Sequence, residues 1–424
     1  MNDQPYQKSV LGNGLRVLTA AMPHTRSVTI SIYVRVGSRY EEPAEAGVSH
    51  FLEHLLFKGT ERRPTAQEIS EIIERVGGVL NAGTDRELTV YWCKVARDHL
   101  GLGIDLLADM LRHSRFDPEE IDKERRVVLE ELASVQDAPP QWVDVLLDQV
   151  MWPGQPMGWD VAGTRESVAG FTRDMARDYW LRHYSPGATV VSVAGDVEHE
   201  RVVAAVDAAL GEWAPMVAPS WQPVIDGQEK PCLRLEHRRT EQAHLSLAVR
   251  GLSSVDPDRF ALDLLNVILG EGMSSRLFVA VRERQGLAYD VHSYVSHYLD
   301  TGTVGVYAGV DPKRASSALG SIMEQLVRIR DGVEEEELTK AKEFSKGRMF
   351  LRLEDTRNVS GWMGAQESLL DEIKTVDEVA AAIDAVQADD LTRVARRLFV
   401  TDKLNLALVG PLRGEGRFLS LLKF

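Results

Sequence analysis

An α+β fold of two homologous domains, each a mainly antiparallel sheet packed against helices, is what this sequence predicts. Three observations lead there: apolar residues alternating with period 2, amphipathic helices between those stretches, and a recurrence of the pattern roughly 210 residues later. In chain order, SVTISIYVRVGS (27–38) alternates as a strand, and GVSHFLEHLLFKGT (47–60) reads as a leucine-rich helix with a glycine stop. Segments 65–76, 99–113 and 117–136 have helical periodicity, with Asp117-Pro118 as a helix start. RDYWLRHYSPGATVVSVAGDV reads as helix, polar turn and an apolar strand closing on Gly195. The second half repeats this: strand EQAHLSLAVRGL, helix FALDLLNVILGEG stopping at Gly270, then ARRLFVTDKLNLALVGPL closing on Gly410. Sheet-and-helix layers are the architecture that such a mixture packs into. In that register His50, Glu53 and His54 fall opposite Ala261, Leu264 and Leu265.

A chain of 424 residues exceeds the usual size of one hydrophobic core. Pro215, Pro219, Pro223 and Pro231 forbid helix between the halves, which predicts a first domain at 1–213, an extended linker at 214–232 and a second domain at 233–424. The composition, 44% hydrophobic and 27% charged, is that of an ordinary globular protein. A formal charge of -15 argues against nucleic acid as a partner and mildly favours basic ones. The sequence has no 18-residue apolar run to span a membrane, and the start MNDQPYQKSV is unlike a secretory signal. Only Cys93 and Cys232 occur, which suits a reducing cytoplasm.

Residues four apart on a helix share a face, so His50 and His54 can present imidazoles to one point, with Glu53 beside them. That is metal-ligand spacing, yet two histidines alone suit surface or capping roles equally well. A third ligand decides between these readings, because catalytic zinc typically takes three protein ligands and a water. DPEEIDKERRVVLEELASVQD supplies candidates, most of which belong to a solvated helix face. At 100° per residue, Ile121, Val127, Val128, Leu132 and Val135 define an apolar arc that includes Glu124 and Glu131, while Glu119 and Glu130 point away. A carboxylate on a buried stripe is costly unless paired or metal-bound. Glu131 is therefore the expected third ligand, and Glu124 the acid that orients a ligating histidine. His113, His183, His244 and His292 lack paired spacing and are read as structural.

H-x-x-E-H at 50–54, followed by E-x6-E at 124–131, resembles the pitrilysin-type zinc metallopeptidases, the inverzincins. HFLEHLLFKGT and ERRVVLEE look most like the short-chain branch that includes mitochondrial processing peptidase and its bacterial relatives. The resemblance spans essentially the whole chain. It implies one Zn2+ per chain on His50, His54 and Glu131, with Glu53 as catalytic base and Glu124 as supporting acid. It implies that Asn81, Ala82, Gly83 and Thr84 form an edge strand against which peptide substrate lies; by themselves these residues equally suit a hairpin turn. Arg282 and Tyr289 resemble the family's R-x6-Y pair, which contacts substrate from a domain other than the zinc-bearing one. Without the resemblance they read as a solvated helix arginine and a packed strand aromatic. One departure is Glu271, which interrupts Gly270 and Gly272 where the family often has three glycines. Longer family members fold four such units into a chamber, so a two-unit chain is expected to close as a homodimer with shared active sites around a peptide or unfolded polypeptide. The alternative is a non-catalytic, peptide-binding or scaffold subunit of a heteromeric assembly. A hydrolase of another bond is a more distant reading.

Overall fold

A computed structural model describes residues 5–217 and 220–424; Pro219 of the expected linker and the first four residues of the chain lie outside the described residues. The chain forms two compact units. The first gathers residues 1–132, 160–222 and 350–375, and the second 133–159, 223–349 and 376–424. Each unit therefore includes a segment from the other half of the sequence.

Unit 1 has strands β1 (Gln7–Val10), β2 (Arg16–Ala21), β3 (Ser27–Val34), β4 (Val79–Thr84), β5 (Thr89–Ala96) and β6 (Thr189–Gly195), in the order β1-β2-β6-β3-β5-β4. Unit 2 has β7 (Cys232–His237), β8 (Ala243–Arg250), β9 (Ala288–His297), β10 (Gly302–Val310) and β11 (Asn405–Gly410), in the order β7-β11-β8-β10-β9. Apart from β1, the two orders correspond strand for strand. The single parallel pairing of each sheet, β2 with β6 and β7 with β11, falls at the same place, and the remaining pairings are antiparallel. The duplication predicted from Gly195 and Gly410 is thus a repeat of topology. Both glycines end the returning strand at positive φ, +146° and +154°, tight against the first residues of β3 and β8.

The first helices in chain order are α1 (Val48–Leu55), α2 (Ala66–Glu74), α3 (Leu100–His113), α4 (Pro118–Asp137) and α5 (Pro139–Met151). Local capping explains the starts: Thr65 and Glu68 form a reciprocal capping box on α2, and the Asp117 carboxylate accepts from the Glu119 amide at α4. On β3 the two periods of the strand meet different partners. Val28, Ile30, Ile32 and Val34 belong to the core shared with α1 and α3, whereas Thr29, Ser31 and Tyr33 meet the helix Thr356–Leu370. There the Thr29 and Thr356 hydroxyls lie 2.9 Å apart, the Ser360 hydroxyl donates to that of Ser31 at 2.8 Å, and Gly364 lets the Tyr33 ring approach. Unit 2 takes α5 in the corresponding way, with Val143, Leu146 and Leu147 packed beside Ala407 and Val409 and the Ser246 hydroxyl donating to Asp144. No helix of the described residues is long and apolar enough to cross a membrane.

Candidate metal centre

The eight residues of α1 bury Val48, Ser49, Phe51, Leu52 and Leu55, and leave His50, Glu53 and His54 along the half-buried edge. Their counterparts in unit 2, Ala261, Leu264 and Leu265 on the helix Arg259–Gly270, are all core residues. Three core positions of one copy are thus polar in the other, an exchange that the packing role of α1 does not require. At its start, both Glu41 oxygens accept from the backbone, from Gly47 N at 2.7 Å and Ser49 N at 2.8 Å. Burial pushes the Glu41 carboxyl up to about 8, against the pull of those two amides and the helix N-terminus, which favour the anion.

Helix α4 delivers the second half of the site. Ile121, Glu124 and Val128 are buried on one stripe, and Glu131 follows two turns after Glu124 with its side chain 45% exposed. The Glu131 carboxylate lies 3.8 Å from His50 Nε2 and 3.7 Å from His54 Nε2. These separations are too long for hydrogen bonds. They are close to the edge of a tetrahedron about 2.1 Å from its centre to each ligand, which is about 3.4 Å. Among the described residues, His50, His54 and Glu131 form the group whose ligand atoms all lie within 4.8 Å of one another. Two imidazoles and a carboxylate from this cluster match the donor set and size of a zinc site.

The two histidines are held differently. Glu124 Oε2 lies 3.1 Å from His54 Nδ1, and because an ionised carboxylate can only accept, Nδ1 carries the proton and Nε2 keeps its lone pair for the cluster. Lys58 Nζ pairs with the other Glu124 oxygen at 2.7 Å. Burial opposes the Glu124 anion, but the hydrogen bonds from His54 and Lys58 outweigh it and hold the carboxyl below the usual range. For His54 burial disfavours the cation, yet Glu124, Glu131 and Glu53 raise its pKa. Burial, then the charge of His54, pull His50 down to about 4, so it is a neutral donor at ordinary pH. His50 Nδ1 is buried without a hydrogen-bond partner.

Glu53 sits beside this cluster, with the Thr84 hydroxyl donating to its Oε2 at 2.6 Å. Burial raises its carboxyl above the ordinary value, and the Thr84 bond only partly offsets that. Asn81, Ala82, Gly83 and Thr84 lie in β4 at the edge of its sheet, so the hairpin-turn reading does not hold. The chain reverses after Thr84 instead, where Ser38 N and Arg39 N bond the carbonyls of Asp85 and Arg86 and a buried Arg39–Glu87 ion pair pins the turn. In unit 2, Arg282 lies in the π-helical segment Phe278–Arg284 and its guanidinium stands 5.2 Å from the Tyr289 ring centroid. Tyr289 is 74% exposed on β9, not packed. Such π-turns recur at functional sites.

Further points differ from the sequence reading, beginning with Glu131, expected on the buried stripe, whose side chain is 45% exposed, so burial is not what marks it as a ligand. Val127, expected on the apolar arc, is 42% exposed, because the buried stripe of α4 runs Ile121-Glu124-Val128. Lys58 carried no helical signal, because it lies beyond the end of α1 at Leu55. Glu41 carried no signal, since an acid in a loop nine residues before His50 has no periodicity to betray it. His183 stacks on Tyr179 and His244 bonds the Tyr307 hydroxyl, as structural histidines do.

Comparison with known proteins agrees with this arrangement. Residues 16–165 match the family model described as insulinase (peptidase family M16), and residues 170–344 match that of the peptidase M16 inactive domain. A protein of Streptomyces coelicolor named as an uncharacterized zinc protease is 39% identical over 96% of this chain and 90% of its own length. One of Bacillus subtilis with the same description is 39% identical over 94% of this chain and 97% of its own. In fold, a Helicobacter pylori protease superposes with a TM-score of 0.90 at 23% identity, covering 95% of this chain and 99% of that one. A chain of complex III from Candida albicans gives 0.85 at 19%, covering 99% and 100%. With relatives of that identity along nearly its whole length, the chain belongs to peptidase family M16, the pitrilysin-type zinc metallopeptidases.

Proposed function

We propose that the protein is a zinc-dependent endopeptidase that cleaves peptides or unfolded, presequence-like segments. The observation that carries this reading is the convergence of His50, His54 and Glu131 from two helices, with the Glu53 carboxylate alongside but outside the ligand set. His50, His54 and Glu131 would hold one zinc per chain, which would supply Lewis-acid polarisation and a water acidic enough to react near neutral pH. Glu53 takes the proton of the attacking water and passes it to the leaving amine, its carboxylate steered by the Thr84 hydroxyl. Glu124 keeps the His54 tautomer fixed.

The first half, 1–213, carries the catalytic residues, 214–232 is the linker, and 233–424 supplies Arg282 and Tyr289 as donors to the oxyanion, with residues 133–159 packing in unit 2 and 350–375 in unit 1. Asn81–Thr84 take substrate as an added strand through main-chain bonds, which read side chains loosely. The net charge of -15 favours basic segments. Two free cysteines suit work in the cytoplasm.

Purified protein is expected to bind about one zinc per chain and to cut a mixed peptide library, with both properties lost on chelation and in His54→Ala. Zinc binding without cleavage favours the non-catalytic subunit; cleavage that survives chelation overturns the reading.

In the homodimer we propose, the residues that would hold zinc in one chain, His50, His54 and Glu131, face Arg282 and Tyr289 of the other. Mixing inactive His54→Ala with inactive Tyr289→Phe chains then restores part of the activity, through one intact site per mixed dimer. Absence of recovery, with subunit exchange verified by native mass spectrometry, excludes sharing.

A further inference from the structure

Glu41 is completely buried, and both its oxygens are spent on backbone amides at the entrance of α1 rather than on a cation. A buried, unpaired carboxylate is among the costlier features a core can keep. The copy that lacks the His50, Glu53 and His54 trio avoids it at the corresponding helix start. At the start of the helix Arg259–Gly270, Asp256 and Asp258 are paired with Arg397 and Arg393, whose side chains are half exposed.

What α1 does that its counterpart does not is present His50 and His54. His54 is held through its other ring nitrogen by Glu124, but His50 Nδ1 has no hydrogen-bond partner. No hydrogen bond fixes the His50 ring, which meets the His54 ring edge-on at 4.7 Å between centroids, so its placement rests on that contact and on the backbone that carries it. That backbone is fixed one residue earlier, where Ser49 N bonds Glu41 at 2.8 Å while the Ser49 hydroxyl meets that of Tyr179 at 2.9 Å. Gly47 N, bound to the second Glu41 oxygen at 2.7 Å, fixes the preceding turn.

We infer that Glu41 is a positioning residue for the metal site, acting on His50 through the first turn of α1 as Glu124 acts on His54 through its ring. The inference rests on the proposed zinc site. Its weight falls on metal affinity and geometry, since Glu41 itself touches neither metal nor substrate.

The test compares Glu41→Gln, which keeps shape but turns an amide group toward a backbone N–H, with Glu41→Asp, which is too short to reach both amides. Zinc dissociation constants come from competition with a chelating dye, and ligand geometry from the visible absorption of the cobalt-loaded protein. Both variants are expected to bind zinc about 10- to 100-fold more weakly, as loss of an orienting partner does, with an altered cobalt spectrum. Leu408→Ala, in the core of unit 2, lowers the melting temperature without either change, which separates positioning from plain destabilisation. Wild-type affinity and spectrum in Glu41→Gln overturn the inference, whatever its melting temperature. Should neither Glu41 variant fold, hydrogen exchange on the unmutated protein decides. Zinc must then slow exchange of the Gly47 and Ser49 amides, because coupling between the two sites is reciprocal, and unchanged rates refute it. An unmutated protein that binds no zinc, or binds it equally in His54→Ala, removes the proposed site itself, a distinct result.

Discussion

Glu53→Gln lowers turnover by about 10²- to 10⁴-fold, the contribution of a positioned general base, while zinc remains bound at the wild-type stoichiometry. The glutamine side chain has the same shape and still accepts the Thr84 hydroxyl through its amide oxygen, so the local packing of α1 against β4 is unchanged. It cannot take a proton from water. Glu53 lies outside the group formed by His50, His54 and Glu131, so the metal should not register the exchange. Turnover is read with an internally quenched peptide, and zinc by elemental analysis of the same preparation. A rate within a few-fold of wild type excludes Glu53 as the base, and parallel loss of zinc assigns it a ligand role instead. Either result leaves the fold untouched.

The chemistry-bearing part of this site was legible because it obeys the period of a helix. His50 and His54 are one turn apart, and Glu124 and Glu131 two turns apart, so each pair falls on one side of its helix and only the meeting of the two helices had to be supposed. The same reasoning failed at Val127, where one step of 100° separates the buried Val128 from solvent. It was silent on Glu41 and Lys58, whose roles come from tertiary approach. In β3 the alternation of Thr29, Ser31 and Tyr33 with apolar residues was correctly a strand signal. Ordinarily it would mean one wet face. That face is instead covered by Thr356–Leu370, a helix more than 300 residues away in sequence whose Thr356, Ser360 and Gly364 match the strand's hydroxyls and ring. Periodicity shows what a face can bind and is blind to which distant segment arrives. Conversely the repeat was visible through its glycines, because Gly195 and Gly410 adopt backbone angles that side chains rarely allow.

Gly47→Ala is expected to destabilise the protein by about 2–5 kcal/mol and to weaken metal binding in the molecules that still fold. Gly47 precedes α1 with φ +92° and ψ 0°, a left-handed conformation that costs an L-residue about 1–2 kcal/mol. A Cβ there would also come within 2.5 Å of the Ala162 carbonyl oxygen and 2.7 Å of Gly163 Cα. These are backbone atoms, which cannot rotate aside, and forced overlap of this kind adds about 1–3 kcal/mol. The approach is mutual: Gly163, at φ +86°, has no room for a Cβ against Ala46. Relief by moving residues 46–48 breaks the Gly47 amide from Glu41 and tilts the turn that leads to His50, so stability and metal affinity fall together. Against a typical total of about 5–15 kcal/mol this is a large fraction. It is measured as a drop in the urea midpoint at constant slope, with zinc competition on the folded fraction. Gly83→Ala serves as the contrast, because no atom lies within 4 Å of its Cβ position and its φ is not in the left-handed range. Equal midpoints for the two variants would mean that the segment before α1 opens at no cost, and that the entrance to the metal helix is not rigid.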